Sequence, residues 1–192
     1  MATIYLRRGQ TKDLDSIMEI INQAKAFLKS YGSPQWQDSH PNRQILSGDI
    51  ARQTNWVLMV DHEVAGTATL QLTPEPSYQI IHQGQWAQPN APYATIHRIA
   101  ISNNFRGQHL AKLMFSNLIT VGQMQGVNNF RLDTHQLNKP VQKLAAEFGF
   151  VQRGIVMVDD QIDPKRLAFE LNLGSDNKLH RINNDFMQGL IN

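Results

Sequence analysis

The chain contains no cysteine. Disulfides, thiolate metal sites and cysteine nucleophiles are therefore excluded together, which fits a reducing compartment. Net charge is also nearly absent: 18 Lys and Arg against 16 Asp and Glu leave +2. No block of Lys or Arg occurs, so neither nucleic acid nor an anionic membrane is an expected partner, while a small anionic ligand remains compatible. No apolar run approaches the roughly 20 residues of a membrane span. The opening Met1 to Arg8 lacks the charge-then-apolar order of a signal peptide, so the expected location is cytoplasmic. No two of the histidines at 40, 62, 82, 97, 109, 135 and 180 stand four apart. Local ligand spacing is thus missing, and no catalytic metal is expected.

What is present is an ordinary globular composition, 41% hydrophobic over 192 residues, enough for a sizeable core in one domain. Residues 3–8 read as a strand, with Thr11 placed to cap the helix that follows. In that helix Leu14, Ile17, Met18, Ile21, Ala24 and Leu28 recur at helical spacing up to Gly32. Residues 33–41 read as loop, and Asn42 is placed to cap a second helix with Ile45, Leu46 and Ile50. Residues 55–60 and 64–72 form a β-hairpin around Asp61-His62-Glu63. The Pro-, Gln- and Gly-rich stretch 74–92 is long for a structureless connection, and such loops tend to be functional or mobile.

The stretch from Ile96 to Ala111 holds the strongest signal. A β-branched run with Ile99 and Ile101 on one side stops at Ser102-Asn103-Asn104, and a helical pattern opens at Arg106-Gly107. A strand feeding a glycine turn into a helix can hold phosphate, because the first helical N–H groups lack partners and the positive end of the helix dipole lies there. Leu110, Leu113, Met114, Leu118, Val121 and Met124 continue as an apolar stripe to Gly126. Residues 129–134 are a strand, and Asn138 starts a short helix carrying Val141, Leu144, Ala145 and Phe148, closed by Gly149. Strands over 150–158 and 166–173 follow, with a turn near Asp163-Pro164. Beyond Gly174, Leu179, Ile182, Phe186 and Leu190 allow a terminal amphipathic helix. The division is a domain over 1–173 and a tail over 174–192, and the tail could pack on a second copy in a homodimer.

This order of elements resembles the GNAT superfamily of acyl-CoA-dependent N-acetyltransferases over residues 3 to 173, most specifically from Tyr93 to Phe150. Ile99 to Gly107 is similar to that superfamily's fourth strand and pyrophosphate turn, and Asn138 to Phe150 to its Asn-to-Gly-Phe segment. Gln35-Trp36, Tyr93 to Arg98 and Leu132 to His135 resemble a bacterial branch of uncharacterised GNAT proteins. The resemblance implies a mixed α/β fold: a mostly antiparallel sheet with splayed parallel central strands and flanking helices. It also implies acetyl-CoA as cosubstrate, no metal, and a primary amine of a small molecule or protein as acceptor. Two positions depart from the pattern. His109 stands where the turn usually has its second glycine, although Ala111 keeps the last small residue. Ala145 stands where many members carry the tyrosine thought to protonate the departing thiolate.

Under that resemblance the main chain of Ile99, Ala100 and Ile101 would bind the pantetheine arm. The amide of Ala100 or Ile101 would polarise the acyl carbonyl. Arg106, Gly107, Gln108, His109, Leu110 and Ala111 would meet the pyrophosphate, and Asn138 either bonds the pantetheine or serves simply as a helix cap. His97, two residues before Ile99 and so on the same strand face, is the catalytic candidate, since imidazole suits proton removal near neutrality. Asp133 and His135 end the neighbouring strand and would face one way, either as an acceptor-binding pair or as turn caps. Trp36, with Tyr78 and Trp86 of the 74–92 loop, would overhang the acceptor or lie as lids on the core. The rival function is a non-catalytic acyl-CoA-binding sensor or regulatory module, which His109 and Ala145 favour.

Overall fold

Strand β1, Ile4–Arg8, opens the chain at one edge of a seven-stranded sheet. A 3-10 turn at Thr11–Asp13 leads straight into helix α1, Leu14–Ser30. Asp13, not Thr11, organises that entry: its carboxylate accepts the Gln10 N–H at 2.8 Å and takes the Arg7 guanidinium at 2.7 and 2.9 Å. Helix α2, Arg43–Ala51, starts as expected at Asn42, whose side chain accepts the Ile45 N–H at 3.0 Å. Strands β2 (Asn55–Val60) and β3 (Glu63–Gln71) form the hairpin, and β4 spans Ala94–Ile101. Then come α3 (Leu110–Met124), β5 (Asn129–Thr134), α4 (Lys139–Glu147), β6 (Val151–Met157) and β7 (Lys165–Asn172). This computed structural model describes residues 2–174, so the terminal helix read from Leu179 to Leu190 lies outside the described residues.

The strand order is β1-β2-β3-β4-β5-β7-β6, antiparallel except between β4 and β5. Those two pair at only two positions, Ala94 with Phe130 and Thr95 with Arg131, and then part. The sheet is therefore split along its middle, with the exposed edge of β4 facing the gap.

Helices α3 and α4 cover one face, through Leu110, Met114, Phe115, Leu118, Ile119 and Leu144 packed on Ile96, Phe130, Leu132 and Phe169. The other face is covered in two parts. Helices α1 and α2 pack Ile17, Ile21 and Leu46 on Val57, Met59 and Ala100. The β3–β4 connection lays Tyr78 and Trp86 over Val156 and Ala168. That connection is not structureless. It makes a 3-10 turn at Pro76–Tyr78, and His82 exchanges backbone hydrogen bonds of 2.7 and 2.9 Å with Ile155 on β6. Gly84 lets the backbones touch, since a Cβ there would sit 1.8 Å from the Arg153 carbonyl oxygen.

Two elements differ from the pattern read in the sequence. Helix α3 begins at Leu110 rather than at Arg106, because Gly107 and His109 both take left-handed angles (φ +80° and +57°) that a right-handed helix cannot contain. Met124, placed in the apolar stripe by periodicity, is 83% exposed in the last turn of α3.

Candidate active site

A bulge in β4 decides which way the candidate residues face. Thr69 pairs with His97 and Thr67 with Ala100, so Arg98 and Ile99 together oppose the single residue Ala68. Arg98 takes the irregular conformation, with φ of 52°. The extra residue shifts the alternation by one, which puts Ile99 with Ile96 and Ile101 on the α3 face. His97 is thereby turned to the opposite face from Ile99, contrary to simple alternation. Arg98 swings toward α2, where its Nε and Nη2 each lie 2.8 Å from the buried Asp49 carboxylate.

Two cavities meet across this bulge. The larger, about 610 Å³, runs between α1 and α4 and is lined by Ile99, Ala100, Ile101, Arg106, Gly107, His109, Leu110, Ala111 and Asn138. These are the sequence-predicted cofactor residues except Gln108, which does not line it. At its end the main-chain amides of residues 107 to 111 donate to no backbone acceptor among the described residues. They form an open donor set at the head of α3, suited to a phosphate. Arg106 lies over the Phe27 ring, 4.7 Å from its centroid, at the groove margin. The donor set, the parted β4 edge and the long apolar groove together fit a nucleotide thioester. Ala145, 1% exposed, is packed into the core beside α3 and offers no proton donor.

The smaller cavity, about 330 Å³, opens beside β4 at the parting from β5 and includes His97, Asp133, Glu75, Arg166 and Asp160 in its wall. Trp36, Ile99, Asn138 and Val141 line both cavities, so the two communicate. Trp36 itself takes a left-handed conformation, φ 67°. Asn138 is fixed as a helix cap, accepting the Val141 N–H and donating to Gln35 at 3.2 Å, while still facing both spaces. Gln35 is the hub that ties the α1–α2 loop to the end of β5, since its Oε1 also accepts from Thr134 and from the His135 N–H.

His97 has a partner that sequence reasoning did not supply. Its buried Nε2 stands 3.2 Å from Glu75 Oε2, a close charge contact outside hydrogen-bond alignment, and has no hydrogen-bond partner among the described residues. The His97 contact, against opposing burial, holds the Glu75 carboxyl down to about 2. Ser77 anchors the same carboxylate through its hydroxyl at 2.8 Å. A carboxylate only accepts, so the proton of a neutral His97 belongs on Nε2 and the lone pair on Nδ1. The local signal for Glu75 was the Glu-Pro-Ser turn, which marks a cap but not its distant partner.

Asp133 and His135 do not form the pair that their spacing allowed. Strand β5 ends at Thr134, and beyond it the chain turns. His135 Nδ1 accepts the Leu137 N–H at 3.2 Å, and its Nε2 contacts Asp163 at 3.0 Å. The ring is 2% exposed and lies outside the cavity wall. Asp133 faces the cavity and accepts the Tyr78 hydroxyl at 2.7 Å. Burial, and then the Asp133 charge, push that phenol well above its ordinary range. Tyr78 also lies against His97, with ring centroids 6.2 Å apart. Trp86, by contrast, is a core lid: its Nε1 donates to the Tyr78 carbonyl, and its ring covers Arg131 at 4.1 Å. No group of three or more His, Asp or Glu able to hold a metal occurs among the described residues. No helix among them is long and apolar enough to cross a membrane.

Residues 15–150 match the family model described as the acetyltransferase (GNAT) family. Among solved structures, a GNAT-family acetyltransferase from Streptococcus agalactiae is 34% identical, with a TM-score of 0.81 over 88% of this chain and 95% of that one. A GNAT-family acetyltransferase from Listeria monocytogenes is 20% identical, with a TM-score of 0.68 over 88% and 95% of the two chains. The ribosomal-protein-S18-alanine N-acetyltransferase of Escherichia coli is 16% identical, with a TM-score of 0.61 over 91% and 98%. At those last two identities the likeness is one of fold. No curated protein matches the chain.

Proposed function

Because the chain belongs to the acetyltransferase (GNAT) family, we propose that it transfers the acetyl group of acetyl-CoA to a primary amine seated beside His97. The observation that carries this reading is the meeting of the long groove and the His97 cavity across the bulged strand β4. Acetyl-CoA supplies an activated acyl thioester; this chain supplies the placement and the proton handling. The free amides of residues 107 to 111 and the Arg106 guanidinium hold the diphosphate. The parted edge of β4 receives the pantetheine arm as an added strand would be received. An amide from Ala100 or Ile101 polarises the acyl carbonyl where negative charge develops.

On the acceptor side the amine must lose a proton before it attacks. His97 takes that proton at Nδ1, directly or through a water, because Nε2 is buried against Glu75 and closed to substrate. Ala145 cannot protonate the departing thiolate, so that proton comes from solvent in the groove. Holding both reactants in register across β4 contributes the entropic part of the rate, roughly 7–11 kcal/mol at the upper range for well-oriented pairs.

The test is release of CoA from acetyl-CoA in the presence of a panel of primary amines, with calorimetric binding of acetyl-CoA alongside. Amine-dependent release supports transfer. Tight acetyl-CoA binding with no release on any amine would instead favour a non-catalytic binding module, the reading for which Ala145 speaks. A melting temperature that saturating acetyl-CoA fails to raise would remove the cofactor assignment as well.

A further inference from the structure

The acceptor cavity holds more negative charge than one reacting amine requires. Its wall carries the carboxylates of Asp38, Glu75, Asp133, Asp159 and Asp160 against the guanidiniums of Arg98 and Arg166. Neither guanidinium is free to receive an anion. Arg98 is engaged by Asp49 at 2.8 Å. Arg166 is engaged by Asp160 and by the carbonyl oxygens of Asp163 and Lys165. An acceptor bearing a carboxylate or phosphate would enter a cavity of its own charge sign with no unengaged guanidinium to meet it.

Asp133 adds an independent observation. Its side chain is 10% exposed, one oxygen accepts the Tyr78 hydroxyl, and the other has no closer cation than Arg166 Nε at 4.0 Å. A carboxylate so enclosed is costly unless a charged donor completes its bonding. Tyr78 connects this oxygen's residue to His97 along one wall, touching the imidazole with its ring and Asp133 with its hydroxyl. The two polar points are thus bridged along one wall by a single side chain.

From this we infer that the acceptor is a compact dication of the diamine class, with one amine at His97 and a second ammonium taken by Asp133. The inference rests on the acetyl-transfer reading above and adds the acceptor's distal charge. Asp133 is the specificity-determining residue, and the exposed Asp159 in the same wall adds the same sign. Electrostatic preference of this kind discriminates mainly by excluding the wrong sign.

Three probes with one chain length isolate the distal group: diaminobutane, butylamine and aminobutyrate end in an ammonium, a methyl and a carboxylate. The expected order of kcat/KM is diaminobutane over butylamine by about tenfold or more, with aminobutyrate last. Asp133→Asn should bring the ratio of diaminobutane to butylamine toward one, whatever happens to either rate alone. If that variant does not fold, the wild-type order and its loss at high salt still decide the matter. The same three amines are also titrated calorimetrically into the CoA-saturated protein. Selective binding of diaminobutane without turnover would sustain the acceptor class while overturning the transfer reading. Turnover or binding that ignores the distal group, prefers aminobutyrate, or is absent for all three would overturn the inference, and acetyl-CoA binding reports separately on the cofactor groove.

Discussion

Two clusters of charge lie on the same face of the sheet and use the same residue types to different ends. Behind the β3–β4 connection, Arg131 is 2% exposed and Glu170 is fully buried. The Arg131 guanidinium stands between Trp86 and Tyr93, 4.1 and 3.9 Å from their ring centroids. It contacts Glu170 at 3.2 Å and donates to the Gln88 carbonyl. Glu170 also accepts the Ala87 N–H at 2.6 Å and pairs with Arg153 at 3.3 Å. Apart from Arg153 Nε, whose contact with Glu170 is not a hydrogen bond, these polar positions are answered. Beside it, the cluster of His97, Glu75, Tyr78 and Asp133 leaves the imidazole Nε2 and one Asp133 oxygen without a hydrogen-bond partner among the described residues. The saturated cluster pins the connection to the sheet, and the unsaturated one faces a cavity. The first cluster holds its charges by mutual pairing inside the core, whereas the open positions of the second border a cavity.

The comparison can be broken first at its closed end. Arg131→Ala should cost about 3–5 kcal/mol of stability in denaturant unfolding, because it leaves Glu170 buried without its main partner. A cost below about 1 kcal/mol would show that the cluster is not the pin described. A smaller effect comes from acid. The Glu75 carboxyl ionises at about 2 in the folded protein against an ordinary 4.5. A folded value below the unfolded one stabilises fully above pH 4.5, and that contribution is lost as pH falls toward 2. It amounts to roughly 3 kcal/mol at most. Glu75→Gln should therefore flatten the stability curve between those two pH values, and an unchanged acid limb would contradict the His97–Glu75 contact. Smallest are the turn variants. Gly107→Ala should lower stability by about 1 kcal/mol, since its left-handed angle penalises any Cβ. His109→Gly relieves the same strain but gains unfolded-chain entropy, so its thermal melt should move by less than about 1 kcal/mol equivalent.

Much of the fold was legible because periodicity reports burial. The strands, the α1 stripe and the Asn42 and Asn138 caps all follow from local pattern. The orientation of His97 was not legible. Nothing in the run from Ile96 to Ile101 marks Arg98 as a bulge, because a bulge is a property of register with β3. The long connection showed only its length. Its order comes from Arg131, Glu170 and Ile155, far away in sequence, and so does the burial of Trp86. Glu75 was missed for a related reason: a cap on Ser77 is local, and an approach to His97 is tertiary. His135 was misplaced by assuming that β5 continued one residue past Thr134. Nor does the sequence show that position 109 is left-handed, so that His109 in place of the usual glycine carries a real conformational cost.

The central claim is that the groove binds acetyl-CoA and His97 acts on the acceptor across β4. It is tested most directly by His97→Ala, measured for acetyl-CoA Kd by calorimetry and for kcat with a saturating amine. The account predicts a fall in kcat of roughly a hundredfold to ten-thousandfold with Kd held within about twofold. An equal loss in both, or a kcat that does not move, would contradict it.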